Sequence, residues 1–198
     1  MQDLGTLGGN WSWAYGVSAD GAVVVGWAHN AARQRRAFRW TASGGMQDLG
    51  TLGGRDSLAY AVSADGAVVV GWAGGRAFRW TASDGMKDLN TTFACLLTNG
   101  SVLIYANAIS PDGRYIVGQG YNAATWRYEA FLLDTQAPLS PNGDVNRDGC
   151  VDDIDMLGVL FEFGEPVNDL NRCVDVNRDG IIDDADLLIV LFNFGSGC

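Results

Sequence analysis

Two twelve-residue stretches near the C-terminus place oxygen-bearing side chains at the same spacing. The first, DVNRDGCVDDID, runs from Asp144 to Asp155, and the second, DVNRDGIIDDAD, runs from Asp175 to Asp186. Each has Asp or Asn at positions 1, 3, 5, 9 and 12, and Gly at position 6, where the backbone must turn sharply. Together with the backbone carbonyl of position 7, these oxygens form a ligand set suited to a hard cation.

The ligand set predicts two Ca²⁺ ions, one in each loop. Mg²⁺ is the competitor, because Asp at position 12 is shorter than the Glu of a standard EF-hand. Converging carboxylates repel one another even at an effective dielectric of about 20, so each loop should open without its cation. The predicted ligands are Asp144, Asn146, Asp148, Cys150 (carbonyl), Asp152 and Asp155 in the first loop, and Asp175, Asn177, Asp179, Ile181 (carbonyl), Asp183 and Asp186 in the second.

An apolar helix is predicted after each loop. The first runs from Ile154 to Phe163 and the second from Ala185 to Phe194, and a Gly follows each as a stop signal. Their ends, VLFEFG and VLFNFG, are near copies, which indicates a pseudo-two-fold arrangement with the loops adjacent through their position-8 residues, Val151 and Ile182. Residues 143 to 195, with duplicated loops that lack a preceding helix, resemble a type I dockerin.

The dockerin resemblance implies a protein partner, a cohesin-like domain, bound through the two helices. Because these helices are strongly apolar, docking onto the rest of the chain is the alternative. By the same resemblance the first loop packs near the end of the last helix, which implies a Cys150–Cys198 disulfide; whether Cys95 and Cys173 pair is open. The implied partner-binding residues are Asp153, Ile154, Leu160, Phe161, Asp184, Ala185, Leu191 and Phe192.

The acidic charge is confined to the last third of the chain. Residues 1 to 136 carry ten acidic and ten basic side chains, whereas residues 137 to 198 carry thirteen and three. This change predicts a β domain over 1–136, a linker over 137–143 that is rich in Pro, Ser and Gly, and a calcium-binding domain over 144–198. The sequence contains no run of about eighteen apolar residues, so no membrane-spanning segment is predicted. No nucleic-acid partner is expected.

The first 136 residues consist of repeats with a period of about 40 to 45 residues. AYGVSADGAVVVGWA at Ala14 returns at Ala59 and, more loosely, at Ala106, and RAFRW at Arg36 returns at Arg76. Short apolar runs separated by Asp-Gly turns predict four strands per unit, as in a β-propeller blade. The units span about 1–45, 46–85 and 86–135. The predicted fold class is mainly β with a small α domain.

The repeated motifs RAFRW, MQDLGTLGG and VSADG make residues 1 to 135 similar to HAF repeats of bacterial surface proteins. The first segment, Met1 to Leu7, matches the fourth strand of a unit, and the third unit ends after a third strand at Phe131 to Leu133. Met1 to Leu7 would then pair either with the last blade or with a blade that precedes it. Three blades are fewer than closure normally needs, so truncation at the N-terminus, or self-association, is expected.

Catalytic residues are not expected. His29, the one histidine, has no counterpart in the second unit, and Asp20, Asp65 and Asp112 recur in hairpin turns, which favours turn chemistry over catalysis. Trp11 and Trp13 are not repeated. Unmatched aromatic residues in a loop suit stacking on a sugar ring, and variation of the fold between units explains them equally well.

The predicted function is that of a non-catalytic extracellular or cell-surface protein. It combines β repeats with a calcium-stabilised interaction module, and four cysteines agree with an oxidising compartment. The alternative is a carbohydrate-binding or cellulosome-like component of polysaccharide catabolism, with a glycan as partner.

Overall fold

The computed structural model describes residues 1–97, 100–136, 142–168 and 171–198. The chain divides into two compact units, one of Met1–Asn90 with Asn99–Gln136 and the other of Thr91–Thr98 with Ala137–Cys198. Residues 91–98, which the sequence places in the β domain, thus lie in the second unit. Most of the predicted linker, residues 137–141, falls outside the described ranges. In the described parts of the chain, no helix is both long and apolar enough to cross a membrane.

The first unit consists of three antiparallel sheets whose strands follow chain order. The first sheet contains β1 (Gly8–Val17), β2 (Val23–Asn30), β3 (Arg35–Thr41) and β4 (Gly45–Asp48). The second contains β5 (Ser57–Val62), β6 (Val69–Ala73), β7 (Arg76–Thr81) and β8 (Gly85–Asp88). The third contains β9 (Val102–Ile109), β10 (Tyr115–Asn122) and β11 (Arg127–Asp134).

Helices are few and short. A one-turn helix, α1 (Leu89–Thr92), and a 3₁₀ turn (Ala94–Leu96) follow β8, and the second unit contains α2 (Asp153–Phe161) and α3 (Asp184–Phe192). The predicted fold class, mainly β with a small α domain, is confirmed.

The strand prediction differs from the structure at the start of the β region and agrees with it at the end. Met1–Thr6 belong to none of the three sheets, and Leu7 forms a single bridge with Asn30. The third sheet has three strands among the described residues, where the first two sheets have four. Within the described ranges the third unit therefore ends after its third strand, as the sequence predicts.

A Ser-X-Asp-Gly turn between the first two strands recurs in all three sheets. In the second sheet the hydroxyl of Ser63 donates to Asp65 and accepts from Val68 N at 3.0 Å, while Asp65 accepts from Ala67 N at 3.0 Å. Ser18 with Asp20, and Ser110 with Asp112, form the same network. Hydrogen bonds from the serine and the backbone lower the pKa of each aspartate. These carboxylates shape the turn, as the sequence predicts.

Adjacent sheets pack face to face. Val23, Val25 and Ala37 of the first sheet lie in one buried cluster with Phe78 and Trp80 of the second. The second and third sheets meet through β9, which packs against β5, β6 and β7. Each sheet therefore depends on a neighbour to cover its apolar face, since an isolated sheet of this length cannot bury one alone.

A glycine in the second strand of each sheet allows this strand to lie close to the first strand. At Gly26, Gly71 and Gly118 a Cβ atom would overlap the backbone carbonyl oxygen of the first strand, at Trp13, Leu58 and Tyr105 respectively. A bulge lies beside this position in each sheet. The obstacle is backbone, so it cannot move aside without opening the strand pair.

Replacing Gly71 with Ala should therefore destabilise the first unit. Forcing a methyl group into a filled site typically costs about 1–3 kcal/mol, which thermal or urea unfolding would measure. Gly158→Ala is the control, because its Cβ would meet Val145 at 3.4 Å, an ordinary contact, inside a helix where Ala is favoured. Equal stability of the Gly71→Ala variant and the parent chain would contradict the close approach.

Candidate calcium-binding loops and helix face

The second unit contains two loop–helix copies that bond reciprocally. Val151, at position 8 of the first loop, accepts from Gly195 N at 2.8 Å and donates to Ser196 O at 2.9 Å, beyond the end of α3. Ile182, at position 8 of the second loop, accepts from Gly164 N at 2.7 Å, beyond the end of α2. The position-8 residues share one buried cluster, but each bonds through its backbone to the end of the opposite helix. The pseudo-two-fold arrangement thus rests on loop–helix contacts.

Both loops have the same backbone turn. Position 4, Arg147 or Arg178, has φ of 61° or 65°, and position 6, Gly149 or Gly180, has φ of 97° or 92°. Open space surrounds both glycines, so the backbone angle and not crowding makes glycine the favoured residue there. The sequence predicts this sharp turn at position 6.

The first carboxylate of each loop has one oxygen held and one oxygen without a partner. Asp144 Oδ2 accepts from Gly149 N at 3.1 Å, and Asp175 Oδ2 accepts from Gly180 N at 3.2 Å. Within the structure as described, Asp144 Oδ1 and Asp175 Oδ1 are buried and accept no hydrogen bond. A buried carboxylate oxygen without a donor is costly, and a bound cation would satisfy it. The residues present therefore fit a metal ion.

Positions 3 and 5 are tied to each other. Asn146 donates through Nδ2 to Asp148 Oδ2 at 2.9 Å and accepts from Asp148 N at 2.9 Å. Asn177 and Asp179 repeat both bonds at 2.9 Å. Asp148 also accepts from Cys150 N, and this bond with the Asn146 bond lowers the pKa of its carboxyl. Hydrogen bonds within each loop thus hold the side-chain oxygens of these two positions in place.

Positions 9 and 12 connect each loop to the helix that follows it. Asp152 caps α2 by accepting from Ile154 N at 2.9 Å, and the fully buried Asp155 accepts from Asp152 N at 2.9 Å and from Asn146 N at 2.9 Å. Asp183 and Asp186 form the equivalent capping box on α3. Each of these carboxylates shapes the loop and also offers oxygens to a cation.

The surroundings of Asp175 in the second loop oppose ionisation of its carboxyl group. Burial raises the pKa of Asp175, and the charges of Asp186 and Asp179 add to this effect, although backbone donors at Arg178 and Gly180 offset part of it. A divalent ion would reverse this balance by neutralising the convergent charge.

In the described ranges, no three Asp, Glu, His or Cys side chains converge on one point. A loop site of this kind also takes ligands from an Asn side chain and a backbone carbonyl, which such a cluster does not include.

The helices expose a large apolar face. Phe161 and Phe192 are 81% and 85% exposed, and Ile154 is 56% exposed. Asp153 and Asp184 are exposed as well, whereas Ala185 is half-buried. Of the predicted partner-binding residues, Ala185 is therefore the least accessible. Exposed residues that the prediction omits are Leu157, Phe163, Leu188 and Phe194; the near-identical ends VLFEFG and VLFNFG could have revealed the two phenylalanines.

Two disulfides link segments of the second unit. The structure joins Cys150 to Cys198, with Cα atoms 4.8 Å apart, as the dockerin resemblance implies. It also joins Cys95 to Cys173, a pairing that the sequence leaves open, with Cα atoms 5.9 Å apart. Next to this second bond, the guanidinium of Arg172 lies 5.2 Å from the ring centre of Phe93. The disulfides thus fix the C-terminus and the 91–98 segment to the loop–helix copies.

Aromatic rings of the first sheet contact one another. Trp11 and Trp13 are 54% and 53% exposed, and Trp13 stacks on Trp27 with ring centres 6.4 Å apart. His29 lies beside Trp27, with their ring centres 5.3 Å apart.

Comparison with known proteins matches the second unit to a family. A family model described as the dockerin type I domain matches residues 142–191. No curated protein matches the sequence significantly. The resemblance of residues 1–135 to HAF repeats therefore stays a prediction.

Two solved structures are similar to the β region. A putative TolB from Agrobacterium tumefaciens is 16% identical, with a TM-score of 0.44 over 64% of this chain and 46% of that protein. TolB from Acinetobacter baumannii is 17% identical, with a TM-score of 0.41 over 64% of this chain and 30% of that protein. The chain thus spans less than half the length of either protein. The family match supports a dockerin-type module over residues 142–191.

Proposed function

We propose that this chain is a non-catalytic extracellular protein whose second unit binds two Ca²⁺ ions and, in that state, a protein partner. The observation that carries the proposal is the unpartnered buried oxygen on the first carboxylate of both loops. The dockerin match over residues 142–191 supports it, because that family is a calcium-dependent interaction module.

Calcium would stabilise the two loops directly, more than it would stabilise the apolar core of the second unit. The Asn–Asp pairs and capping boxes already hold positions 3, 5, 9 and 12, so the ion adds ligation at position 1 and neutralises the repulsion among carboxylates. Stabilisation of the second unit should follow the concentration of free ion, because the ion binds the folded loops and not the unfolded chain.

The partner would bind the apolar face of α2 and α3. Several large apolar side chains on one small surface, with acidic residues at the helix starts, are typical of a protein-binding site. A cohesin-like domain is the proposed partner, through Ile154, Leu160 and Phe161 on one helix and Leu191 and Phe192 on the other. The two disulfides support an oxidising, extracytoplasmic location.

Titration calorimetry of the full chain with Ca²⁺, after treatment with a chelator, should show two bound ions. Asp144→Asn and Asp175→Asn should each remove one ion, because each takes a charge from position 1 of a loop. Asp153→Asn and Asp184→Asn are matched controls, since each removes one charge next to a loop at a side chain outside the ligand set. A chain that binds no Ca²⁺, or loses an ion equally in the controls, would refute the calcium assignment.

Binding of a panel of cohesin domains should require both Ca²⁺ and the helix face. Phe161→Asp with Phe192→Asp should abolish binding without changing calcium stoichiometry, since both side chains are exposed and outside the core. Trp126→Asp is the control, because Trp126 is as exposed as Phe161, at 81%, but lies in the first unit. Binding by the double variant at the parent's affinity would show that the partner uses another surface.

A further inference from the structure

The two outer sheets of the first unit expose positions that are buried wherever a neighbouring sheet is present. The pairing register aligns the sheets, because Gly26, Gly71 and Gly118 each lie opposite a phenylalanine of the next strand. Equivalent residues can then be compared directly. The differences concentrate on the outer faces of the first and third sheets.

On the third sheet, the exposed side is the one that would meet a following sheet. Ala130 is exposed, whereas its counterparts Ala37 and Ala77 are 0% exposed. Val117 is 41% exposed, whereas its counterparts Val25 and Val70 are also 0% exposed. Tyr115 follows the same rule, at 37% against 5% for Val23 and 9% for Val68. Each of these counterparts belongs to a sheet that is followed by another.

On the first sheet, the exposed side is the one that would meet a preceding sheet. Ala14 is exposed, although its counterparts Ala59 and Ala106 are 0% exposed. The second and third sheets each pack on the sheet before them, and among the described residues no sheet covers this side of the first.

The N-terminal segment has the sequence of a missing outer strand. Met1–Leu4 reads MQDL, the same as residues 46–49, which include most of β4. Leu49 donates to Ala37 O at 2.9 Å, so an added MQDL strand would bring Leu4 N to Ala130 O, the equivalent acceptor on β11. Among the described residues, no strand pairs with the outer edge of β11. An unpaired edge of this kind accepts a further strand.

Side chains on the two outer faces are also chemically matched. Between the first and second sheets, Arg35 and Asp56 form an ion pair at 3.0 Å. Their counterparts on the outer faces are Tyr128, 68% exposed, and Trp11, 54% exposed. An aromatic pair would thus replace the ion pair where the third sheet meets the first. Such pairs contribute about 0.5–1.5 kcal/mol beyond burial of their area.

A second polar contact is available at the same junction. Ala37 N donates to the hydroxyl of the buried Ser57 at 3.0 Å. The counterparts, Ala130 and the exposed Ser12, could repeat this bond. A third contact between sheets could not be repeated at this junction. Ala19 N donates to Ala64 O, and Ala64 N donates to Pro111 O, both at 2.9 Å. Pro111 has no N–H group, so it could not donate the equivalent bond to the first sheet of a second copy.

We propose that the third sheet of one copy packs on the first sheet of a second copy, with Met1–Leu4 of that copy as its outer strand. Two such junctions close a ring of six sheets, which lies within the four to eight blades of closed propellers. The junction joins two different faces, so the dimer closes although the contact itself is heterologous. This proposal is independent of calcium and of the helix face.

Light scattering of the full chain across the micromolar range should give twice the mass of one chain. Ala14→Glu and Ala130→Glu should each weaken the dimer about a hundredfold or more, because each buries an unpaired charge at both junctions. Ala22→Glu is the matched control, since Ala22 and its counterpart Ala67 are both exposed. Mixing the Ala14→Glu and Ala130→Glu chains should restore part of the association, because one junction is then free of substitutions.

A charge swap gives a second test that does not depend on folding of the glutamate variants. Trp11→Asp and Tyr128→Arg should each weaken the dimer about three- to tenfold, and the double variant should recover affinity by recreating the Arg35–Asp56 pair. A monomer throughout the micromolar range would overturn the proposal. So would a dimer insensitive to Ala14→Glu and Ala130→Glu, or a Trp11→Asp variant that loses binding to a glycan array but not dimerisation.

Discussion

Each repeated element in this chain, whether a sheet of the first unit or a loop–helix half of the second, buries its apolar face against a neighbouring repeat. In the first unit the copies are sheets, and Phe78 and Trp80 are covered because Val23 and Val25 of the preceding sheet lie against them. In the second unit the copies are loop–helix halves, and the residue at position 8 of each loop bonds to the end of the other helix. Burial of apolar area is the main favourable contribution to folding, so stability in both units depends on the contact between copies.

Sequence patterns predicted most of this organisation because repetition makes local signals consistent. The three Ser-X-Asp-Gly turns, the apolar runs beside them and the glycines at position 6 each recur with the same physical role. The Cys150–Cys198 disulfide was predicted from the dockerin resemblance, because cysteine spacing alone does not determine which cysteines pair. The Cys95–Cys173 disulfide could not be predicted, because its partners are far apart in sequence and the 91–98 segment has no counterpart in the other repeats.

Strand number in the third sheet was predictable from the sequence pattern, but the exposure of residues on the first and third sheets was not. The third unit ends after its third strand, because the residues that follow β11 depart from the MQDL motif. Position along the stack, and not residue type, decides whether Ala14 or Ala130 is covered, since alanines at the equivalent positions are buried elsewhere. Exposure of this kind depends on neighbours, which a local window does not contain. The calcium loops differ in this respect, because their ligands lie within twelve residues of one another.

The assignment of residues 91–98 to the second unit affects how the protein can be dissected. The backbone passes from one unit to the other after Asn90, returns by Asn99 and passes again after Gln136. A fragment that starts after residue 136 therefore lacks Cys95 and carries Cys173 as a lone thiol. On air oxidation such a fragment would couple to a second molecule through Cys173, an artefact of the cut that could be mistaken for natural association. An excised module needs either Cys173→Ser or a grafted 91–98 segment.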